Sequence, residues 1–191
     1  MSIMLSTLRD LRSIRRIISK EVCNTLMSSL LFPRIDYCLS IFVSSSKLVI
    51  CPLIRVIRTA GRILLQRRKY DRISQLLIDI GWRDIFQRIL YRSLITTFRL
   101  VNAPISYLHL LLSDSVRPSS LRLRSSSTLL LHVRIHSSSF GRRSCFVAFP
   151  MCWNSLPQNS RTCTSYPTFK NKLHTILLSN GQECVRILWG S

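Results

Sequence analysis

Apolar residues recur at helical spacing through the first 102 residues, and this periodicity constrains the fold more than any other feature. In the opening segment, leucines and isoleucines form one stripe and arginines fill the opposite side, as in an amphipathic helix with a basic face. Ser19 suits the N-cap of a second helix, and Pro33 suits the start of a third. The pattern predicts a mainly α fold whose helical region covers residues 1–102. Further helices are predicted at residues 48–66, 73–80 and 84–101.

Charge is the strongest compositional signal. Lysine and arginine total 28 against 8 acidic residues, for a net charge of +20 and a pI near 11.1. Such an excess indicates a polyanionic partner, with nucleic acid first and an acidic membrane surface second. The hydrophobic content of 47% is sufficient for a packed core. The alternative is a decayed reading frame in which no partner selected the charge.

The composition changes after residue 102. Serine and arginine dominate a predicted connection at residues 103–139, in which residues 129–135 form the best, though weak, strand candidate. No aspartate or glutamate occurs between Ser115 and Gln182. Arginine and serine both bind phosphate oxygens, so this connection is suited to follow a nucleic-acid backbone. A helical module at residues 140–180 and a frayed tail at residues 181–191 complete the predicted organisation.

The aromatic stretch at residues 140–157 predicts a short helix that opens at Gly141. Phe146, Phe149 and Trp153 share one inward face, with Trp153 as a core anchor. Pro150 is expected to kink or interrupt this helix. A last amphipathic helix is predicted over residues 169–178, ending before Gly181.

The sequence of this stretch, F-G-R-R-S-C-F-V-A-F-P-M-C-W-N-S-L-P, resembles the C-terminal end of jockey-like non-LTR retrotransposon reverse transcriptases. The resemblance continues through Arg161 and the S-Y-P-T-F-K-N-K-L phrase. It departs at Phe149, where the family usually has alanine, and at Cys152, where it usually has leucine. Both are changes in packing residues.

The N-terminal half resembles the helical thumb of the same enzymes through L-R-S-I-R-R-I-I-S-K-E and R-I-D-Y-C. The match therefore implies a thumb and post-thumb fragment, whose parent enzyme carries its polymerase site upstream of the matched region. Asp36 and Tyr37 have two equal interpretations: a pair with an arginine of the first helix, or a solvated charge beside a half-buried tyrosine.

Catalytic constellations are missing from the sequence. Two-metal nucleotidyl transfer needs paired aspartates, and none of the six aspartates stands beside another acid. The seven cysteines include no C-x-x-C pair and are expected to be reduced thiols of an intracellular, non-secreted protein. We expect no catalysis, metal, cofactor, small-molecule substrate or membrane span; the oligomeric state is left open.

The sequence predicts a protein that binds RNA or DNA through the phosphate backbone. The alternatives are a non-functional pseudogene product and a basic amphipathic protein on a membrane surface. The candidate nucleic-acid contacts are Arg67, Arg68, Lys69, Arg117, Arg122, Arg124, Arg134, Arg142, Arg143, Lys170 and Lys172.

Overall fold

The computed structural model describes residues 2–102, 130–133, 136–138, 141 and 144–189, the last twelve of these by backbone alone. Helices account for nearly all regular structure in these ranges, and the ranges contain no strand. The predicted mainly α fold is confirmed. The α-helices are α1 (Ser2–Ile14), α2 (Lys20–Leu26), α3 (Phe32–Asp36), α4 (Lys47–Leu64), α5 (Ser74–Asp79), α6 (Ile85–Asn102), α7 (Cys145–Asn154), α8 (Gln158–Arg161) and α9 (Tyr166–Trp189).

The chain forms two compact units. Unit 1 comprises Met1–Cys38 and Ser46–Arg88, and unit 2 comprises Leu39–Ser45 and Ile89–Ser191. The boundary falls inside α6, after its first turn. The predicted connection at residues 103–139 lies almost entirely outside the described residues.

Helix α2 begins where the sequence predicts. Ser19 has extended backbone, and its hydroxyl accepts a hydrogen bond from the Val22 amide at 3.3 Å. The helical path then runs through a π-type turn at Met27–Leu31 into α3, which carries Pro33 in its first turn. A proline lacks the amide that a regular α turn uses and crowds the carbonyl four residues earlier, so the wider turn accommodates it.

Trp82 belongs to a stack of aromatic and charged groups in unit 1. Its indole donates to Asn24 Oδ1 at 2.9 Å, and its ring meets Phe32 edge-on with centroids 4.8 Å apart. The Arg88 guanidinium lies 4.1 Å from the Phe32 ring centroid and binds both Asp36 oxygens, at 3.0 and 2.9 Å. Asp36 therefore pairs with Arg88 of α6, a partner that neither of its two interpretations, an arginine of the first helix or a solvated charge, predicted. Tyr37 is 79% exposed, so the half-buried placement is also wrong.

The turn after α5 aims Trp82 inward. Gly81 has φ +76°, and two reversed hydrogen bonds close the helix: Gly81 N to Ile78 O and Trp82 N to Leu77 O, both 2.8 Å. This is the Schellman arrangement, and the left-handed backbone it needs favours glycine.

Unit 2 is built around the predicted aromatic anchor. Trp153 is fully buried and lies 5.9 Å from the Phe169 ring, which stacks on Phe98 at 4.3 Å. The core position of Trp153 is confirmed. Leu173 and Leu177 extend this buried face along α9.

Three boundaries of unit 2 differ from the sequence prediction. Helix α7 begins after Ser144, whose hydroxyl accepts from the Phe146 amide at 3.4 Å, and not at Gly141. It continues through Pro150 to Asn154 without interruption. Helix α9 likewise continues through Gly181 to Trp189, because one internal glycine costs only about 1 kcal/mol relative to alanine and does not stop a helix.

Candidate nucleic-acid interface

The ends of α1 and α4 approach each other in unit 1. Leu8 and Leu11 are buried on the inner face of α1, and Ala60 and Leu64 are buried on α4. Because a helix repeats every 3.6 residues, the arginines at other positions of α1 stay outside this contact. The packing therefore places two basic helix ends side by side.

An open groove of about 1040 Å³ lies between these ends. Six of its ten lining residues are cationic, and no aspartate or glutamate is among them. Ser13, Thr59, Ile63 and Gln66 supply the rest. The cations are Arg12, Arg15, Arg16, Arg62, Arg67 and Lys69.

The negative ends of the two helix dipoles offset only part of this positive charge. Each helix C-terminus carries about half a unit of negative charge, so the two ends offset roughly one of the six cations. The groove retains a strong positive potential and is suited to a polyanion.

Arg15 has a structural role in the groove. Its Nε and Nη2 donate to the Leu64 carbonyl at 3.1 and 2.9 Å, and its Nη1 donates to the Ile18 carbonyl at 3.0 Å. The guanidinium therefore caps α4 and ties it to the segment after α1. We assign Arg15 to holding the groove walls together.

The end of α4 is closed by a reversed turn. Arg67 N donates to Arg62 O at 2.9 Å and Gln66 N to Ile63 O at 3.3 Å, while Gln66 adopts φ +51°. These bonds form a second Schellman arrangement, here without glycine. A side chain in this left-handed region costs roughly 1–2 kcal/mol. The turn directs the chain back along the groove.

Asp71 fixes the residues that follow. Its carboxylate accepts from the Arg68 amide at 3.0 Å, and its own amide donates to the Arg68 carbonyl at 3.2 Å. Arg62 Nη2 reaches the Asp71 carbonyl at 3.5 Å, while the buried Arg62 Nε has no hydrogen-bond partner among the described residues. The Asp71 carboxylate therefore stabilises the turn through the Arg68 amide, and its carbonyl contacts the groove residue Arg62.

The structure separates the predicted contact residues. Arg67 and Lys69 line the groove, whereas the exposed Arg68 does not. Lys170 and Lys172 are exposed on α9 in unit 2, where Lys172 donates to the Asn159 carbonyl at 2.8 Å. The remaining predicted contacts lie outside the described residues: Arg117, Arg122, Arg124, Arg134, Arg142 and Arg143.

Four groove cations are missing from the sequence-based candidates: Arg12, Arg15, Arg16 and Arg62. The signal was present as the basic face of the first helix and the basic end of the fourth. Their convergence could not be foreseen, because Arg15 and Leu64 are 49 residues apart and meet only through packing.

Unit 2 contains a different cationic feature. Arg161 is only 9% exposed, and among the described residues its Nε and Nη1 have no hydrogen-bond partner. Burial lowers the pKa of this guanidinium from its ordinary value. Burying a guanidinium with two unsatisfied nitrogens carries a desolvation cost.

The described part of the chain contains no group of three or more histidine, cysteine or acidic side chains able to hold a metal ion. None of its helices is long and apolar enough to cross a membrane.

No family model, curated protein or solved structure matches the chain.

Proposed function

We propose that this chain is a non-catalytic nucleic-acid-binding fragment that contacts the phosphate backbone through the unit 1 groove. The observation that carries the proposal is the meeting of six cationic side chains around one groove without a lining carboxylate. We further propose that it derives from the thumb and post-thumb portion of a non-LTR retrotransposon reverse transcriptase, as the W-N-S-L-P and R-I-D-Y-C phrases suggest.

The binding energy comes largely from counterion release. Each phosphate that an arginine or lysine neutralises frees condensed cations from the nucleic acid. The affinity therefore falls steeply as the salt concentration rises, with a slope of about 0.7–0.9 per phosphate contact.

The groove is suited to phosphate contacts more than to reading base sequence. One arginine guanidinium can donate two parallel hydrogen bonds to the oxygens of one phosphate, and the Ser13 and Thr59 hydroxyls add further donors. We therefore expect little sequence preference.

Two acidic side chains of unit 1 have structural partners. Asp36 is bound by Arg88, and Asp71 by the Arg68 amide. These assignments support a binding role without nucleotidyl transfer, which would need two carboxylates sharing metal ions.

A matched pair of double variants tests the proposal. Arg16→Ala with Arg67→Ala removes two groove cations. Arg9→Ala with Arg68→Ala removes two exposed cations, one from α1 and one from the turn after α4, neither of which lines the groove. Filter binding to RNA and DNA over a salt series should show the groove variant losing about 1.4–1.8 units of slope. The matched variant should retain the parent slope.

Equal slopes for the two variants would contradict the proposal, because charge alone would then explain the binding. Stronger binding to anionic vesicles than to either nucleic acid would favour the membrane-surface alternative. A purified chain that melts without cooperativity would favour the non-functional product.

A further inference from the structure

Tyr70 is an exposed aromatic residue at the rim of the groove. Its ring is 87% exposed, and the Lys69 ammonium lies 5.8 Å from the ring centroid. Lys69 itself lines the groove. The ring therefore adjoins the ammonium of a groove cation.

The backbone around Tyr70 is held in place. The Arg68–Asp71 turn closes over it with two hydrogen bonds, and Arg62 contacts the Asp71 carbonyl from α4. An aromatic side chain on a fixed turn loses little backbone freedom when it binds a planar partner, so stacking there is energetically favourable.

The groove lining contains no aromatic side chain, so Tyr70 is the aromatic surface adjoining its cations. Proteins that bind single-stranded nucleic acid combine a basic groove along the backbone with aromatic rings on which bases stack. Duplex bases already stack on each other and offer no free face to a surface ring.

We propose that the groove binds single-stranded nucleic acid, with its phosphates on the groove cations and one unpaired base stacked on Tyr70. This inference rests on the proposed function and specifies its ligand class. It also gives Tyr70 a role that its burial does not explain, since the ring contributes almost nothing to the core.

The test compares Tyr70→Ala, Tyr70→Phe and Tyr37→Ala. Tyr37 is a matched control, because it is 79% exposed in the same unit but neither lines the groove nor adjoins a lining residue. The probes are oligothymidylate, oligouridylate, a blunt duplex and inorganic polyphosphate, which carries the charge without bases.

Tyr70→Ala should weaken binding of both single strands by about fivefold or more, in line with the usual contribution of one stacked base. Binding of duplex and polyphosphate should not change. Tyr70→Phe should bind like the parent because it keeps the ring, and Tyr37→Ala should bind like the parent throughout. The two single strands show whether RNA or DNA is preferred.

Parent-like binding of single strands by Tyr70→Ala would overturn the inference, as would an equal loss on duplex or polyphosphate. A second readout uses Tyr70→Trp: oligouridylate should quench the added fluorescence, and unchanged fluorescence at saturation would exclude stacking. Failure of the proposed function gives a different result from failure of this inference. It appears as equal salt slopes for the groove variant and the matched arginine variant, independently of how the Tyr70 variants bind.

Discussion

The Asn154 side chain brackets the backbone of Leu131. Its Oδ1 accepts from the Leu131 amide at 2.9 Å, and its Nδ2 donates to the Leu131 carbonyl at 2.8 Å. An amide side chain thus supplies both hydrogen bonds that a neighbouring strand would otherwise give. Residues 130–133, which include Leu131, do not form a strand. The strand predicted at residues 129–135 is therefore wrong over these four residues.

Replacing Asn154 should expose this dependence. Asn154→Ala removes these partners from both backbone polar groups of the buried Leu131, so the free energy of unfolding should fall by about 1–3 kcal/mol. Asn154→Asp keeps the acceptor and loses the donor, so its free energy of unfolding should lie between those of the alanine variant and the parent. Denaturant unfolding measures both; equal stability of all three proteins would show that the bracket contributes nothing.

Arg161 should be more costly than an apolar residue of similar length. Arg161→Met removes a buried charge with two unsatisfied nitrogens, and the free energy of unfolding should rise by about 1–3 kcal/mol. Arg161→Lys keeps a buried charge and should give no such gain. A loss of stability in the methionine variant would show that the guanidinium has a stabilising partner.

The Asp36–Arg88 pair should show strong coupling in a double-mutant cycle. Both side chains are 14% exposed and joined by two hydrogen bonds, so removing one partner leaves a largely buried charge. Asp36→Asn and Arg88→Met should each cost about 3 kcal/mol, while the double variant should cost much less than their sum. Additive losses in thermal or chemical unfolding would contradict the coupling.

Gln66→Gly should stabilise unit 1. The left-handed backbone at this residue suits glycine, so the free energy of unfolding should rise by about 0.5–1 kcal/mol after glycine's own entropy cost. Gln66→Ala is the control, since alanine has the same steric conflict and should bring no gain. Two variants of equal stability would mean that the φ angle is not the cause.

The Cys23 thiol should make the fold sensitive to alkali. Burial raises its pKa above the ordinary value, against a smaller opposing effect of Arg15. The protonated thiol therefore contributes stability that is complete below the unfolded pKa of about 8.5 and is lost as pH rises through the folded pKa. The free energy of unfolding should therefore fall more in the parent than in Cys23→Ala when the pH is raised from neutral to above both pKa values. Parallel curves of unfolding free energy against pH would show that the thiol does not cause the alkali sensitivity.

Local features were predictable because their determinants lie within a few residues. The Ser19 cap, the helical segments and the buried position of Trp153 follow from spacing and hydrogen-bonding chemistry. Phe146 of the predicted inward face is only half-buried, whereas Val147 and Ala148 outside that face are buried. Pro150 misled the sequence-based prediction, since the tertiary packing around α7 outweighs the loss of one backbone hydrogen bond.

Long-range features were not predictable from one sequence. Asp36 and Arg88 form an ion pair although they are 52 residues apart in the chain. The groove likewise combines cations from residues 12–16 with cations from residues 62–69. Two of the six groove cations, Arg67 and Lys69, were predicted from the charge along the chain. Its shape depends on which helix ends pack together.

The two hydrogen bonds from the Arg15 guanidinium to the Leu64 carbonyl form only when α1 and α4 are packed together, so the groove exists only in the folded chain. The unfolded polypeptide keeps every cation but not their arrangement. A ligand that recognises the arrangement stabilises unit 1 by RT ln(1 + [L]/Kd), about 2.7 kcal/mol at a hundredfold excess over Kd, reduced by whatever affinity the unfolded chain retains. Under the proposed function, nucleic acid would raise the melting temperature of this unit, and comparing that rise between the parent and the groove variant would measure occupancy of the groove.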